Sequence, residues 1–149
     1  MTKLNKYIII GLVIFISILF NILISYLSHI ITAPPLFMPK KSKIALFFDI
    51  VIIAPFIETF IFQFLVIEFS IKYISNKSTI PILLSALLFA IPHYFNDHNL
   101  SYSFFTFLMG TYFAAVYLMA KKRQDLNPFF VVFLAHFSVN LLYYLFSFA

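Results

Sequence analysis

Five long apolar runs, separated by short polar breaks, dominate the sequence. The hydrocarbon core of a bilayer is about 30 Å thick and is crossed by about 20 helical residues. The pattern therefore predicts an all-α fold, a polytopic bundle of about five transmembrane helices in an integral membrane protein. The runs are Tyr7–Ile31, Ile44–Ile71, Ile80–Phe95, Ser101–Ala120 and Pro128–Phe148.

The polar breaks fit helix ends. Prolines and lysines fill residues 33–41, Asn76-Lys77-Ser78 ends the second run, and Pro128 suits the first turn of a helix. The third run is short enough to be re-entrant. No internal repeat or second domain is visible, so residues 1–149 are expected to form a single membrane domain.

Composition supports a membrane protein and excludes several classes of function. Hydrophobic residues make up 63% of the chain and charged residues 10%, whereas soluble domains average about 45–50% and 25%. Only 2 glycines are present, which argues against a β-barrel. With no cysteine, thiol catalysis, disulfides and thiolate metal sites are excluded. The net charge of +5 does not indicate nucleic-acid binding, because the basic residues cluster between apolar runs.

The distribution of basic residues predicts an orientation in the cell membrane. If all five runs span, seven lysines and arginines share one side and three share the other. The positive-inside rule then puts the N-terminus in the cytoplasm and the C-terminus outside. The seven are Lys3, Lys6, Lys72, Lys77 and residues 121–123, and the three are Lys40, Lys41 and Lys43.

Four polar side chains lie deep within apolar runs. Glu58 is near the middle of the second run, His93 is in the third, and His136 and Asn140 are four residues apart in the fifth. An ionisable side chain at the bilayer centre costs about 2.5–3.5 kcal/mol on insertion scales, so it is a candidate functional residue. Helical rise places His93 about 20 Å and Asn140 about 18 Å from the cytoplasmic ends of their helices, close to the depth of Glu58.

This set of side chains suits hydrolysis by water. A carboxylate beside a histidine can take a proton from water and make it nucleophilic. A second histidine with a carboxamide can donate hydrogen bonds to a developing oxyanion. We therefore expect Glu58, His93, His136 and Asn140 to surround one cavity.

Three short motifs carry a family resemblance. They read Ala54-Pro55-x-x-Glu58-Thr59-x-x-Phe62-Gln63, Phe89-Ala90-x-x-His93 and His136-x-x-x-Asn140. In order and separation they resemble the three motifs of the CPBP intramembrane proteases, the CAAX-protease and bacteriocin-processing group also called the Abi family. The resemblance covers residues 44–144, which would form the protease core.

The resemblance implies a multi-helix membrane endopeptidase acting on a peptide or a membrane-protein segment in the lipid bilayer. Glu58 would be the general base, His93 would help to hold the water, and His136 with Asn140 would stabilise the oxyanion. The family is described as glutamic-type, with no cofactor, and in an older view as metal-dependent. A divalent metal such as zinc would then be held by Glu58, His93 and His136.

The first motif departs from its commonest form, Glu-Glu-x-x-x-Arg, because Thr59 and Gln63 replace the second glutamate and the arginine. Opposite charges are lost together, so no buried charge is left unpaired. An active enzyme is favoured. The alternatives are a non-catalytic membrane protein of the same fold, such as a bacteriocin-immunity factor, and a small transporter that relays protons through Glu58 and the histidines. Substrate identity and oligomeric state are left open.

Overall fold

Five long helices make up the part of the chain that the computed structural model describes, residues 4–31, 42–97 and 99–147. Each is long and apolar enough to cross a membrane, and no strand occurs in these ranges, so the chain is an integral membrane protein of the predicted all-α class. The helices are α1 (Lys6–Ile31), α2 (Lys43–Tyr73), α3 (Thr79–Asp97), α4 (Leu100–Lys121) and α5 (Pro128–Ser147).

The helix ends lie within two residues of the predicted runs. The predicted break at residues 33–41 lies outside the described residues, as do Lys3, Lys40 and Lys41. The proposed orientation of the termini therefore stays a prediction. Polar side chains end the apolar spans as expected, and Asn127 caps α5 by accepting a hydrogen bond from the Phe130 amide at 3.1 Å.

Helix α2 is not a regular α-helix. Two π-helical segments, Phe47–Ile53 and Thr59–Leu65, flank a short α-helical segment at Ala54–Glu58. In the π register an amide bonds the carbonyl five residues earlier, as the Ala54 amide does with Asp49. The wider turns change the direction in which successive side chains of α2 point. Glu58 lies at the junction between the short α segment and the second π segment.

Helix α4 occupies the centre of the bundle. In its apolar span 56% of the residues are buried, compared with at most 28% in the spans of the other helices. The core around it includes Met109, Phe113 and Tyr117 of α4, Ile67 of α2, Phe89 of α3 and Val132 and Ala135 of α5. Among the described helices, α4 is therefore the one most enclosed by the others.

A glycine allows α3 to approach α4 closely. A Cβ added at Gly110 would lie 3.0 Å from Cδ1 of Phe89 and 3.1 Å from the Cα of Ala86. Small residues permit such approaches between membrane helices, where lipid supplies no hydrophobic drive for association. Gly110 thus lets the Phe89 ring enter the core at the level of the polar residues.

An aromatic ladder fixes the register of α2 against α5. The Phe56 ring lies 5.4 Å from that of Phe129 and 6.0 Å from that of Phe133, and the Phe64 ring lies 6.5 Å from Phe129. Edge-to-face aromatic pairs each contribute about 0.5–1.5 kcal/mol. Since the helices run antiparallel, this register brings Glu58 to the level of His136.

Candidate active site

Glu58 and His136 meet between α2 and α5. The Oε2 atom of Glu58 lies 3.6 Å from Nε2 of His136. This is longer than a hydrogen bond, but catalytic contacts often tighten only when substrate is bound. The His136 side chain is 5% exposed, whereas that of Glu58 is 25% exposed. The carboxylate can therefore be reached from outside the bundle while the imidazole is enclosed.

His93 is oriented by the backbone of its own helix. Its Nδ1 lies 2.8 Å from the carbonyl oxygen of Phe89. A carbonyl can only accept, so Nδ1 carries a proton, and in the neutral ring Nε2 is the acceptor. The second motif thus sets the tautomer of its own histidine through an i to i−4 hydrogen bond.

The Phe89 ring lies between the two histidines. Its centroid is 5.0 Å from that of His93 and 5.7 Å from that of His136. Phe62 of α2, at 5.8 Å, and Phe113 of α4, at 6.2 Å, also pack against it. Phe89 therefore couples four helices at this level and holds both imidazoles against one aromatic surface.

Asn140 connects α5 to the irregular part of α2. Its Nδ2 donates to the carbonyl oxygen of Ile50 at 2.9 Å. In the π register that carbonyl would accept from residue 55, which is proline and has no N–H. Asn140 thus satisfies a backbone acceptor that Pro55 leaves without a helical partner. One hydrogen of its amide is used in this way, and its predicted oxyanion role stays a prediction.

Comparison with known proteins places these residues in a family. A family model described as type II CAAX prenyl endopeptidase, Rce1-like, matches residues 40–142, more than half of the chain. The chain belongs to this family. Curated proteins and solved structures give no match.

Membership in the Rce1-like family confirms the resemblance to the CPBP group that the motifs indicated. The matched residues include Glu58, His93, His136 and Asn140. The family is one of proteases, which supports a hydrolase role for this chain in general. Bacteriocin immunity gains no support from the match.

No three His, Asp or Glu side chains come together as a metal site would require within the ranges that the structure describes. Glu58, His93 and His136, the set predicted for a divalent metal, therefore do not form such a group. Both the predicted absence of a cofactor and the alternative use of a divalent metal stay predictions.

The two residues that depart from the commonest first motif face the interior. Thr59 and Gln63 are fully buried in the second π segment of α2. This Rce1-like chain thus has two neutral polar side chains beside Glu58.

Sequence reasoning missed three contributors to the site. Gly110 could have been found, because a glycine in the middle of an apolar run suggests a close helix contact. The Ile50 carbonyl could have been suspected from Pro55. Phe113, whose ring lies 4.8 Å from that of His136, is one of 22 phenylalanines and carried no signal.

The bond between Asn140 and Ile50 predicts coupling between Asn140 and Pro55. Asn140→Leu should lower the free energy of unfolding by about 1 kcal/mol, a typical value for a hydrogen bond between membrane helices. In a Pro55→Ala background the new N–H can satisfy Ile50, so the same change should cost less. A double-mutant cycle by denaturant titration in mixed micelles measures this difference.

Ser138→Ala is the matched control, since the Ser138 hydroxyl donates to the Leu134 carbonyl of its own helix at 2.7 Å and not to α2. The loss in free energy of unfolding caused by Ser138→Ala should be the same with Pro55 and with Pro55→Ala. An equal cost of Asn140→Leu with and without Pro55 would show that the proline does not create the acceptor.

Proposed function

We propose that this chain is a CAAX-type intramembrane endopeptidase that hydrolyses a peptide bond with a water activated by Glu58 and His93. The observation that carries the proposal is the approach of Glu58 to His136, 3.6 Å between Oε2 and Nε2. Either ionisable side chain alone would be costly within lipid, and a pair from two helices at one level is typical of a functional site.

The first step would be attack by water. The partly exposed Glu58 carboxylate takes one water proton, and Nε2 of His93 accepts a hydrogen bond from the other. The Nδ1 bond to Phe89 keeps His93 in the tautomer that this requires. The water oxygen forms a bond to the carbonyl carbon, and the carbonyl electron pair moves onto its oxygen.

The second step would break the peptide bond. His136 donates through Nε2–H to the oxyanion, together with the amide hydrogen of Asn140 that Ile50 does not use. The protonated Glu58 then gives its proton to the leaving nitrogen as the C–N bond breaks. The oxyanion electron pair re-forms the carbonyl, and Glu58 returns to its ionised form. The products are one peptide ending in a carboxylic acid, which then loses its proton to water, and one beginning with an amine.

Glu58→Gln and His136→Ala should each abolish hydrolysis. Loss of a general base typically costs about 10²–10⁴-fold in rate. The measurement is the release of peptide products by the purified protein in lipid, followed by mass spectrometry.

Glu68→Gln provides the control, because Glu68 accepts a hydrogen bond from Tyr117 at 2.7 Å and pairs with Lys121, away from His136. It should keep the wild-type rate. Full activity of Glu58→Gln would overturn the enzyme proposal and favour a non-catalytic partner. Proton flux that depends on Glu58, without peptide products, would favour a transporter.

The bundle also has an apolar groove, and we propose that it takes the isoprenoid of a prenylated substrate. It has a volume of about 960 Å³, lies between α1, α3 and α4, and includes Leu87, Ala90, Tyr94 and Leu108 in its lining. This matches the upper range of small-molecule sites, about 300–1,000 Å³. Since the isoprenoid is already in lipid, the groove would contribute orientation of the peptide more than affinity.

Leu87→Trp should therefore impair cleavage of a prenylated CAAX peptide by about tenfold in kcat/KM and leave an unprenylated peptide unaffected. Leu83→Trp is the control, since Leu83 is equally exposed on α3 but does not line the groove. Equal losses with both peptides, or no loss with either, would contradict the assignment of the groove. Kinetics on the matched peptides decide between these results.

A further inference from the structure

Four polar atoms near the candidate active site are buried without a partner. They are Oγ1 of Thr59, both side-chain amide atoms of Gln63, and Nδ1 of His136. Thr59 and Gln63 are fully buried and His136 is 4% exposed. None of them makes a hydrogen bond within the described part of the chain. Each unsatisfied buried group costs about 1–3 kcal/mol, so a cluster of them indicates a small polar partner.

Thr59 and Gln63 lie on the inward side of α2, in the π-helical segment that follows Glu58. Thr59 and Gln63 are four residues apart and belong to the buried face of α2, with Pro55 before them and Ile67 after them. Thr59 directly follows Glu58, whose carboxylate lies 3.6 Å from the His136 ring. Thr59 and Gln63 therefore share the buried face of α2 in the segment that begins next to the proposed catalytic pair.

We infer that Thr59, Gln63 and His136 form an internal hydration site whose water donates a hydrogen bond to Nδ1 of His136. Complete burial leaves no path for a peptide segment, whereas a single water is small enough. Buried waters typically make about three hydrogen bonds to otherwise unsatisfied groups. A hydroxyl, a carboxamide and an imidazole nitrogen provide that set.

The consequence concerns the tautomer of His136. In a neutral imidazole one nitrogen donates and the other accepts, and the partner of one fixes the role of the other. A donor at Nδ1 keeps the proton on Nε2, the atom that faces Glu58. Thr59 and Gln63 are thus positioning residues that act through His136. This catalytic consequence rests on the proposed function, whereas the hydration site itself does not.

The first test is ¹⁵N NMR of histidine-labelled protein in lipid, without substrate, with the His136 signals assigned by their loss in His136→Ala. The wild type should show His136 protonated at Nε2. Thr59→Val combined with Gln63→Leu should give a mixture of tautomers, whereas Thr59→Ser, which keeps the hydroxyl, should match the wild type. A wild-type spectrum that already shows mixed tautomers would overturn the inference, as would a double variant that leaves the spectrum unchanged.

The second test is X-ray hydroxyl-radical footprinting, in which radiolysis of a buried water produces a hydroxyl radical that oxidises neighbouring side chains. Phe113, with its ring 4.8 Å from that of His136, should be oxidised in the wild type and protected in the double variant. Ser103→Ala, which removes another buried unpaired hydroxyl on α4, should leave Phe113 oxidation unchanged. A tautomer change without protection of Phe113 would show a direct contact in place of water and overturn the inference. Neither test requires hydrolysis, so failure of the enzyme proposal in the Glu58→Gln assay is a separate result.

Discussion

The packing of α2 against α5 decides whether the polar side chains can meet. Lipid offers no hydrophobic drive to join two apolar helices, so their register depends on side-chain contacts. Here Phe56 and Phe64 of α2 pack on Phe129 and Phe133 of α5. The same register places Asn140 within hydrogen-bond distance of the Ile50 carbonyl and His136 beside Glu58. Structure and proposed chemistry thus depend on one helix interface, in which aromatic contacts act together with hydrogen bonds from Asn140 and Tyr144 of α5 to backbone carbonyls of α2.

Helices α3 and α4 complete the surroundings of the site, and α1 packs against the same core. Gly110 lets α3 approach α4, and Phe89 of α3 then reaches both imidazoles. Helix α1 is joined to the same core at Tyr112 of α4, whose hydroxyl donates to the Val13 carbonyl at 3.1 Å. The α2 segment is irregular where Glu58 lies, as is common for π-helical segments at functional sites. A buried α4 beside an irregular α2 allows polar groups to face the interior of a bundle whose core is otherwise apolar.

Much of this arrangement follows from the sequence because lipid imposes strict rules. Span lengths and helix ends follow from hydropathy, and the cost of burying charge draws attention to Glu58, His93 and His136. Helical rise also predicts their common depth. The π-helical segments were not predicted, since periodicity does not separate them from α-helix over seven residues. The bond from Asn140 to Ile50 and the aromatic contacts between α2 and α5 depend on how two helices pack together. The sequence of one apolar run does not carry that information.

Chemical cross-linking in native membranes tests the central claim most directly, and the chain has no cysteine to interfere. Glu58→Cys combined with His136→Cys should be joined by a short bis-methanethiosulfonate reagent. Glu68→Cys with His136→Cys should not, because Glu68 lies over two turns further along α2. Efficient cross-linking of the first pair alone is the expected result. Failure of the first pair to react, with both thiols shown to be accessible, would contradict the meeting of α2 and α5 on which the proposed hydrolysis depends.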